Sequence, residues 1–204
     1  KAEEFHIYED DKLVSPYESK QTILNPEVAA EHYLLLLVDL SGSVTESGNL
    51  APLQDAVNRF TSRVGQYQKL AVYGFDGRAD IVPVRAFGPG AANVNLAGFK
   101  STDPSTNLNG AVVKAVAALE KQLDAATAPL RFGTLVIFTD GTDHAHRVTR
   151  EQALNELQQV DFETFVIGVG AEIDEKELAA FSKTGSALSK DPTSVGAQFD
   201  AIAE

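Results

Sequence analysis

Two rhythms of hydrophobic residues alternate along this chain. Four short apolar runs, Tyr33-Leu-Leu-Leu-Leu-Val38, Leu70-Ala-Val-Tyr-Gly-Phe75, Thr134-Leu-Val-Ile-Phe138 and Thr164-Phe-Val-Ile-Gly-Val169, are bounded by polar residues. They predict strands, and the first, third and fourth read as buried on both faces. Between them apolar residues recur at helical spacing. Leu50, Leu53, Val57, Phe60 and Val64 predict a helix reaching about Gln66, with Pro52 in its first turn. Leu108, Val112, Ala115, Val116, Leu119 and Leu123 form a second stripe. Ala153, Leu154 and Leu157 mark a helix around 149–159, Asp174 caps one holding Leu178 and Phe181, and Val195, Phe199 and Ile202 mark a terminal one. Asp76-Gly77 predicts a hairpin turn into an antiparallel strand at Ile81–Val84, and Pro83 places that strand at an edge. Ser186–Ser189 reads as a short last strand. Strands alternating with helices predict an α/β fold: a doubly wound, mostly parallel central sheet with one antiparallel edge strand and helices on both faces.

The first 30 residues follow neither rhythm. Phe5–Tyr8 and Leu13-Val14 read as short strands around the acidic turn Glu9-Asp-Asp-Lys12, and Ser15-Pro-Tyr17 and Asn25-Pro26 punctuate a polar connector. Residues 1–30 are therefore expected to be an extended arm or the end of a preceding β module, and 31–204 the main domain. Thr45–Asn49 is expected to be a loop. So are residues 88–106, rich in Gly, Pro, Asn, Ser and Thr and ending in capping residues at Ser105-Thr-Asn107.

The 204 residues suffice for one sizeable core, and 44% hydrophobic with 23% charged residues is ordinary for a globular domain. The formal net charge of −12 disfavours nucleic acid as a partner, because phosphate binding needs a basic surface. The absence of cysteine excludes disulfides, zinc–thiolate sites and a thiol nucleophile. No run is long enough to span a membrane. With no methionine and Lys at position 1, the chain is expected to be a piece of a longer product, with any signal peptide or lipid anchor upstream.

The chemistry lies where the apolar runs stop. The first ends in Asp39-Leu-Ser41-Gly-Ser43 and the third in Thr139-Asp140-Gly-Thr-Asp143, while Thr106 stands at a helix opening. In open sheets of this kind ligands sit beyond the carboxyl ends of the strands. Adjacent parallel strands would bring Asp39 and Asp140 together, where two carboxylates repel unless a proton or cation lies between them. The hydroxyls of Ser41, Ser43 and Thr106 add neutral oxygens. The result is an all-oxygen set suited to a hard cation such as magnesium, with room for water or an outside ligand.

Asp39-Leu-Ser41-Gly-Ser43 resembles the D-x-S-x-S motif of von Willebrand factor type A domains. Thr106 in Ser-Thr-Asn-Leu and Asp140 in Thr-Asp-Gly-Thr-Asp resemble that family's other two metal-site elements, in the same order. Phe165-Val-Ile-Gly-Val-Gly170 before the Asp174 helix is similar too, so the likeness covers residues 33–204. It implies a metal-ion-dependent adhesion site holding Mg2+, with Mn2+ or Ca2+ as substitutes, at Asp39, Ser41, Ser43, Thr106 and Asp140. In such sites the hydroxyls approach the ion directly or through water, the aspartates often act through water, and a partner protein's Asp or Glu fills the open position. The arm resembles segments preceding this domain in bacterial surface and secreted proteins.

The remaining polar residues read more plainly. Asp143 is expected to be a rim carboxylate, His144 and His146 a solvated pair, Asp103 a loop-turn residue, and His6 and His32 carry no signal. Enzymatic function is not expected. An aspartyl phosphotransferase would need a second Asp where Ser41 stands, and there is no G-x-S-x-G elbow and no Gly-rich phosphate loop with Lys. The reading is thus a metal-dependent protein-binding module of an extracytoplasmic bacterial protein. The alternatives are a cytoplasmic assembly module assisting an AAA-type ATPase, or a structural domain with an idle site. The oligomeric state and the partner's identity are not encoded in these motifs.

Overall fold

The structure is a computed structural model describing residues 6, 8–15, 30–46, 48, 50–89, 93–171 and 173–203. Near its start Tyr8–Glu9 (β1) pairs antiparallel with Lys12–Leu13 (β2). Asp10 and Asp11 form the two-residue turn, both at positive φ (47° and 63°), a conformation that Asp tolerates in hairpin turns. Of the connector, Pro16-Tyr17 and Asn25-Pro26 lie outside the described residues, as do Phe5 and Ile7.

The main sheet has six strands. They are β3 (Ala30–Asp39), β4 (Lys69–Phe75), β5 (Val82–Gly88), β6 (Leu130–Thr139), β7 (Glu163–Val169) and β8 (Gly185–Ser189), in the order β5-β4-β3-β6-β7-β8. All neighbours are parallel except β4 and β5, so the strand carrying Pro83 is the antiparallel edge the proline predicted. Among the described residues six α-helices cover the sheet: α1 (Gly42–Glu46), α2 (Leu50–Val64), α3 (Leu108–Ala125), α4 (Arg150–Gln159), α5 (Glu175–Ala179) and α6 (Val195–Ile202).

The unbroken apolar run of β3 now has its physical reason. Successive side chains of a strand point to opposite faces. Tyr33, Leu35 and Leu37 pack with α3, α4 and α5, while Leu34, Leu36 and Val38 pack with α1, α2 and α6. Both faces are dry, so no position tolerates a polar residue until the strand ends. Each fully buried leucine contributes about 1.5–3 kcal/mol.

Four local expectations need correction. Thr45–Glu46 do not open a loop but belong to α1, because the Ser41 carbonyl accepts the amides of Val44 (3.2 Å) and Thr45 (3.0 Å) and starts a helical turn directly after the strand. Asp76-Gly77 is not a two-residue hairpin turn: residues 76–81 connect β4 to β5, and Asp76 is buried as an acceptor for that connection. Residues 88–106 are not simply a loop. β5 extends to Gly88, and Val94 and Leu96 are buried beside a 3-10 turn at Leu96–Gly98. Gln54 holds that turn from α2, donating to the Val94 carbonyl (2.5 Å) and accepting from the Leu96 amide (2.6 Å). The helix expected to reach Gln66 ends at Val64. α4 opens with a capping box between Thr149 and Gln152, and Asp174 caps α5 through the amides of Lys176 and Glu177.

Candidate metal centre

β3 and β6 run side by side in register, Val38 opposite Phe138, so their carboxyl ends emerge together. Asp39 is wholly buried there. Its Oδ1 accepts the Ser41 amide (3.0 Å) and its Oδ2 accepts the Thr139 hydroxyl (2.7 Å), which fixes the carboxylate between the two strand ends. Ser43, in the first turn of α1, donates to Asp140 Oδ1 (2.9 Å), and the Ser41 and Ser43 hydroxyls lie 3.1 Å apart. Asp39, Ser41, Ser43 and Asp140 therefore form one cluster.

Thr106 arrives by another route. The Gly42 amide donates to the Pro104 carbonyl (2.9 Å), an approach so close that a Cβ on Gly42 would stand 3.0 Å from the Pro104 Cβ. On its other side the Thr106 carbonyl accepts the amides of His144 (2.8 Å) and Ala145 (3.0 Å). Main-chain bonds thus hold the segment that carries the nearly buried Thr106 between the start of α1, through Pro104, and the loop after β6, through Thr106 itself. The capping role expected at Ser105-Thr106-Asn107 is not made by the N-cap residue: Asn107 precedes α3, but its side-chain amide donates to the Arg78 carbonyl (2.8 Å), and the first turn is capped instead by Asp143, which accepts the Asn109 amide (3.0 Å).

The electrostatics of the cluster are unfavourable on their own. Burial, and then the charge of Asp140, push the Asp39 carboxyl from 3.8 up to about 7, against the opposing pull of the Thr139 and Ser41 hydrogen bonds. A buried carboxylate facing a second one calls for a proton or a cation. Among the described residues no three His, Cys, Asp or Glu side chains converge as a metal cage, so any set of donors here would also draw on neutral oxygens such as the nearby hydroxyls. Two carboxylates with serine and threonine oxygens and no nitrogen or sulfur donor fit a hard ion such as Mg2+.

A family model, the von Willebrand factor type A domain, matches residues 34–200. The chain belongs to that family. Among solved structures, the type A domain resembles the pilus adhesin SpaC from Lactobacillus rhamnosus GG (13% identity, TM-score 0.62, 85% of this chain and 30% of that one). It also resembles the vWF domain of the type V pili tip protein Mfa5 from Porphyromonas gingivalis (11% identity, TM-score 0.60, covering 86% and 95%). A third likeness is to proximal thread matrix protein 1 from the mussel byssus, solved with a zinc-occupied MIDAS motif (10% identity, TM-score 0.64, covering 85% and 47%). At these identities the likeness establishes the fold. The chain spans less than half the length of several of the solved chains it resembles. No curated protein matches it in sequence.

Other residues of the type A domain take structural roles. Asp143 is a loop carboxylate that also ties its surroundings, accepting the amides of Asn109 (3.0 Å) and His146 (2.9 Å). His144 and His146 are exposed, as read from the sequence, and His146 takes positive φ (50°). Asp103 turns its loop by accepting the Ser105 amide (3.1 Å) and also pairs with Arg147 (3.3 Å).

Sequence reasoning missed three contributors. Thr139, in sequence only part of a polar strand terminus, holds Asp39. Gly170 lies so close to Asp140 that a Cβ would stand 2.6 Å from the Asp140 carbonyl oxygen. Asp76 directly follows β4, another apolar run stopping at a carboxylate; that signal lies in the sequence, but the adjacent glycine suggests a plain turn.

Proposed function

We propose that this type A domain is a non-enzymatic, metal-dependent protein-binding module. Asp39, Ser41, Ser43, Thr106 and Asp140 would hold Mg2+, with Mn2+ or Ca2+ able to substitute, and a partner protein's Asp or Glu would complete the coordination. When bound, the ion supplies the positive charge that offsets the repulsion between Asp39 and Asp140 and leaves a position for an outside oxygen. The protein's part is pre-organisation. Thr139 and the Ser41 amide orient Asp39, and Ser43 and Asp140 orient each other before any ion arrives. The observation that carries this reading is the buried Asp39 beside Asp140 and two serine hydroxyls, brought together at the carboxyl ends of two adjacent parallel strands.

Solved neighbours that are pilus adhesins support an adhesive role outside the cytoplasm. No helix among the described residues is long and apolar enough to cross a membrane.

Calorimetric titration of Mg2+ and Mn2+ into the wild type, Asp39→Asn and Ser43→Ala tests the metal. Saturable binding in the wild type, lost in Asp39→Asn and weakened in Ser43→Ala, is expected. Acetate, a free carboxylate, should then lower the water-proton relaxivity of the Mn2+ complex by displacing a bound water. Absence of metal binding in the wild type at millimolar concentrations would sink the reading and leave an idle site.

A further inference from the structure

Thr106 stands in a stretch, residues 99–107, that has no regular secondary structure, so its place is set by whatever ties that stretch down. Those ties converge on one turn. Asp76 is inaccessible to solvent. Its Oδ1 accepts the amide (2.9 Å) and Nε (2.8 Å) of Arg78, and its Oδ2 accepts Arg78 Nη2 (2.8 Å), the Thr102 amide (2.9 Å) and the Ser101 hydroxyl (3.1 Å). The Asp76 carbonyl accepts the Asn107 amide (3.1 Å), and the Arg78 carbonyl accepts the Asn107 side chain (2.8 Å). One turn, 76–78, therefore grips the segment on both sides of Thr106. Burial would raise the Asp76 pKa, but the Arg78 guanidinium and the amides of Arg78, Thr102 and Asp103 outweigh it and hold the carboxyl below its usual range. The grip is charged.

Arg147 closes the ring from outside. Its Nε donates to the Gly77 carbonyl (2.7 Å) and its Nη2 reaches Asp103 Oδ2 (3.3 Å), while the Gly77 amide donates to the Asp103 carbonyl (3.0 Å). Arg147 lies just beyond His144 and Ala145, whose amides hold the Thr106 carbonyl. The ring thus runs from the loop after β6, through Thr106, to the 76–78 turn and back through Arg147.

The geometry points to Asp76 and Arg147 as positioning residues that set where Thr106 stands against Ser41, Ser43 and Asp140, and so tune metal affinity without touching the ion. This rests on the proposed metal site, but the ring itself can be tested without metal. Arg147→Ala is the main variant because Arg147 is half-exposed; Asp76→Asn is the companion, since it removes a buried charge and endangers folding.

Two measurements decide. The first is amide hydrogen exchange in metal-free protein. In Arg147→Ala the His144 and Ala145 amides should exchange faster by about tenfold or more, the scale of losing a charge-assisted tie, while strand amides of β3 and β6 keep their rates. The second is Mg2+ and Mn2+ titration. Arg147→Ala should weaken binding about tenfold, as for other outer partners of metal ligands. It should cost nothing further in a Thr106→Ala background, because it acts through Thr106. Unchanged exchange at His144 and Ala145 would overturn the ring. Unchanged affinity in Arg147→Ala, or an affinity loss that simply adds to that of Thr106→Ala, would overturn its action through Thr106. A wild type that binds neither metal would sink the proposed function and the affinity half of this inference, while the exchange rates would still decide the positional half.

Discussion

Asp39→Asn should stabilise the metal-free protein while destroying its proposed activity. In the folded chain burial and Asp140 lift the Asp39 carboxyl from 3.8 to about 7. Between these values the unfolded chain has lost a proton that the folded chain keeps. Stability therefore falls as pH rises through this window and levels off above about pH 7. The shift of about three pH units corresponds to about 4 kcal/mol. Asparagine carries no charge to bury and can keep both contacts. Its side-chain carbonyl accepts the Ser41 amide, and its NH2 donates to the Thr139 hydroxyl, whose own proton turns to the Gly141 carbonyl 3.2 Å away. With chelator present, thermal melts of wild type and variant should coincide near pH 4 and diverge by roughly 10 °C at about pH 7.5, the variant melting higher. The carboxyls of Glu31, Asp76, Asp80 and Asp191 are lowered, so their contributions are fully present only above the unfolded values of 3.8 and 4.5; common to wild type and variant, they cancel in the difference between the two melts. Millimolar Mg2+ should raise the wild-type melting temperature and leave the variant unmoved. Binding below about pH 7 should also release protons, seen as a buffer-dependent heat in calorimetry. Coincident wild-type and variant melts across the whole range would refute the reasoning, because Asp39 would then carry no penalty for ionising.

Two further perturbations probe the frame around the site. Gly170→Ala places a Cβ against the Asp140 carbonyl, which is backbone and cannot swing away. It should cost about 1–3 kcal/mol in urea unfolding and weaken Mg2+ binding by moving Asp140, whereas Gly185→Ala, whose Cβ would meet Phe165 at 3.4 Å, should leave the metal affinity unchanged. Leu37→Ala empties a fully buried position two residues before Asp39 and should lower unfolding free energy by about 2–5 kcal/mol, read from the denaturant midpoint at unchanged slope.

Where a residue's fate follows from its neighbours in sequence, the chain declared it. The run from Tyr33 to Val38 could only be a strand covered on both sides, and the helical stripes could only be its covers, so the doubly wound sheet followed from pattern alone. Pro83 told its edge because a missing amide shows only where a partner strand would need it. Asp39 and Asp140 could be proposed as ligands because each follows an apolar run, and Ser41, Ser43 and Thr106 because their hydroxyls stand beside a strand end or at a helix opening. The errors fell where tertiary partners override local chemistry. Asp76-Gly77 has the composition of a tight turn, yet Ser101, Thr102 and Arg78 surround its carboxylate and draw it inward. Residues 88–106 have a loop's composition, yet Gln54 and Asn58 of α2 give their backbone the partners that let Val94 and Leu96 be buried. Gly170 gave no sign that its missing Cβ makes room for Asp140, thirty positions earlier in the chain.

The sequence by itself determined the strands, their helical covers and the residue types at the strand ends, because periodicity and chain termination of apolar runs are properties of adjacent positions. Only the tertiary structure decided how those ends meet. Strand order set β3 beside β6, and so put Asp39 under the field of Asp140 and within reach of Thr139. The charged ring through Asp76 and Arg147 joined segments some seventy residues apart, and a contact of that range depends on how the strands are ordered in space, which no local pattern records.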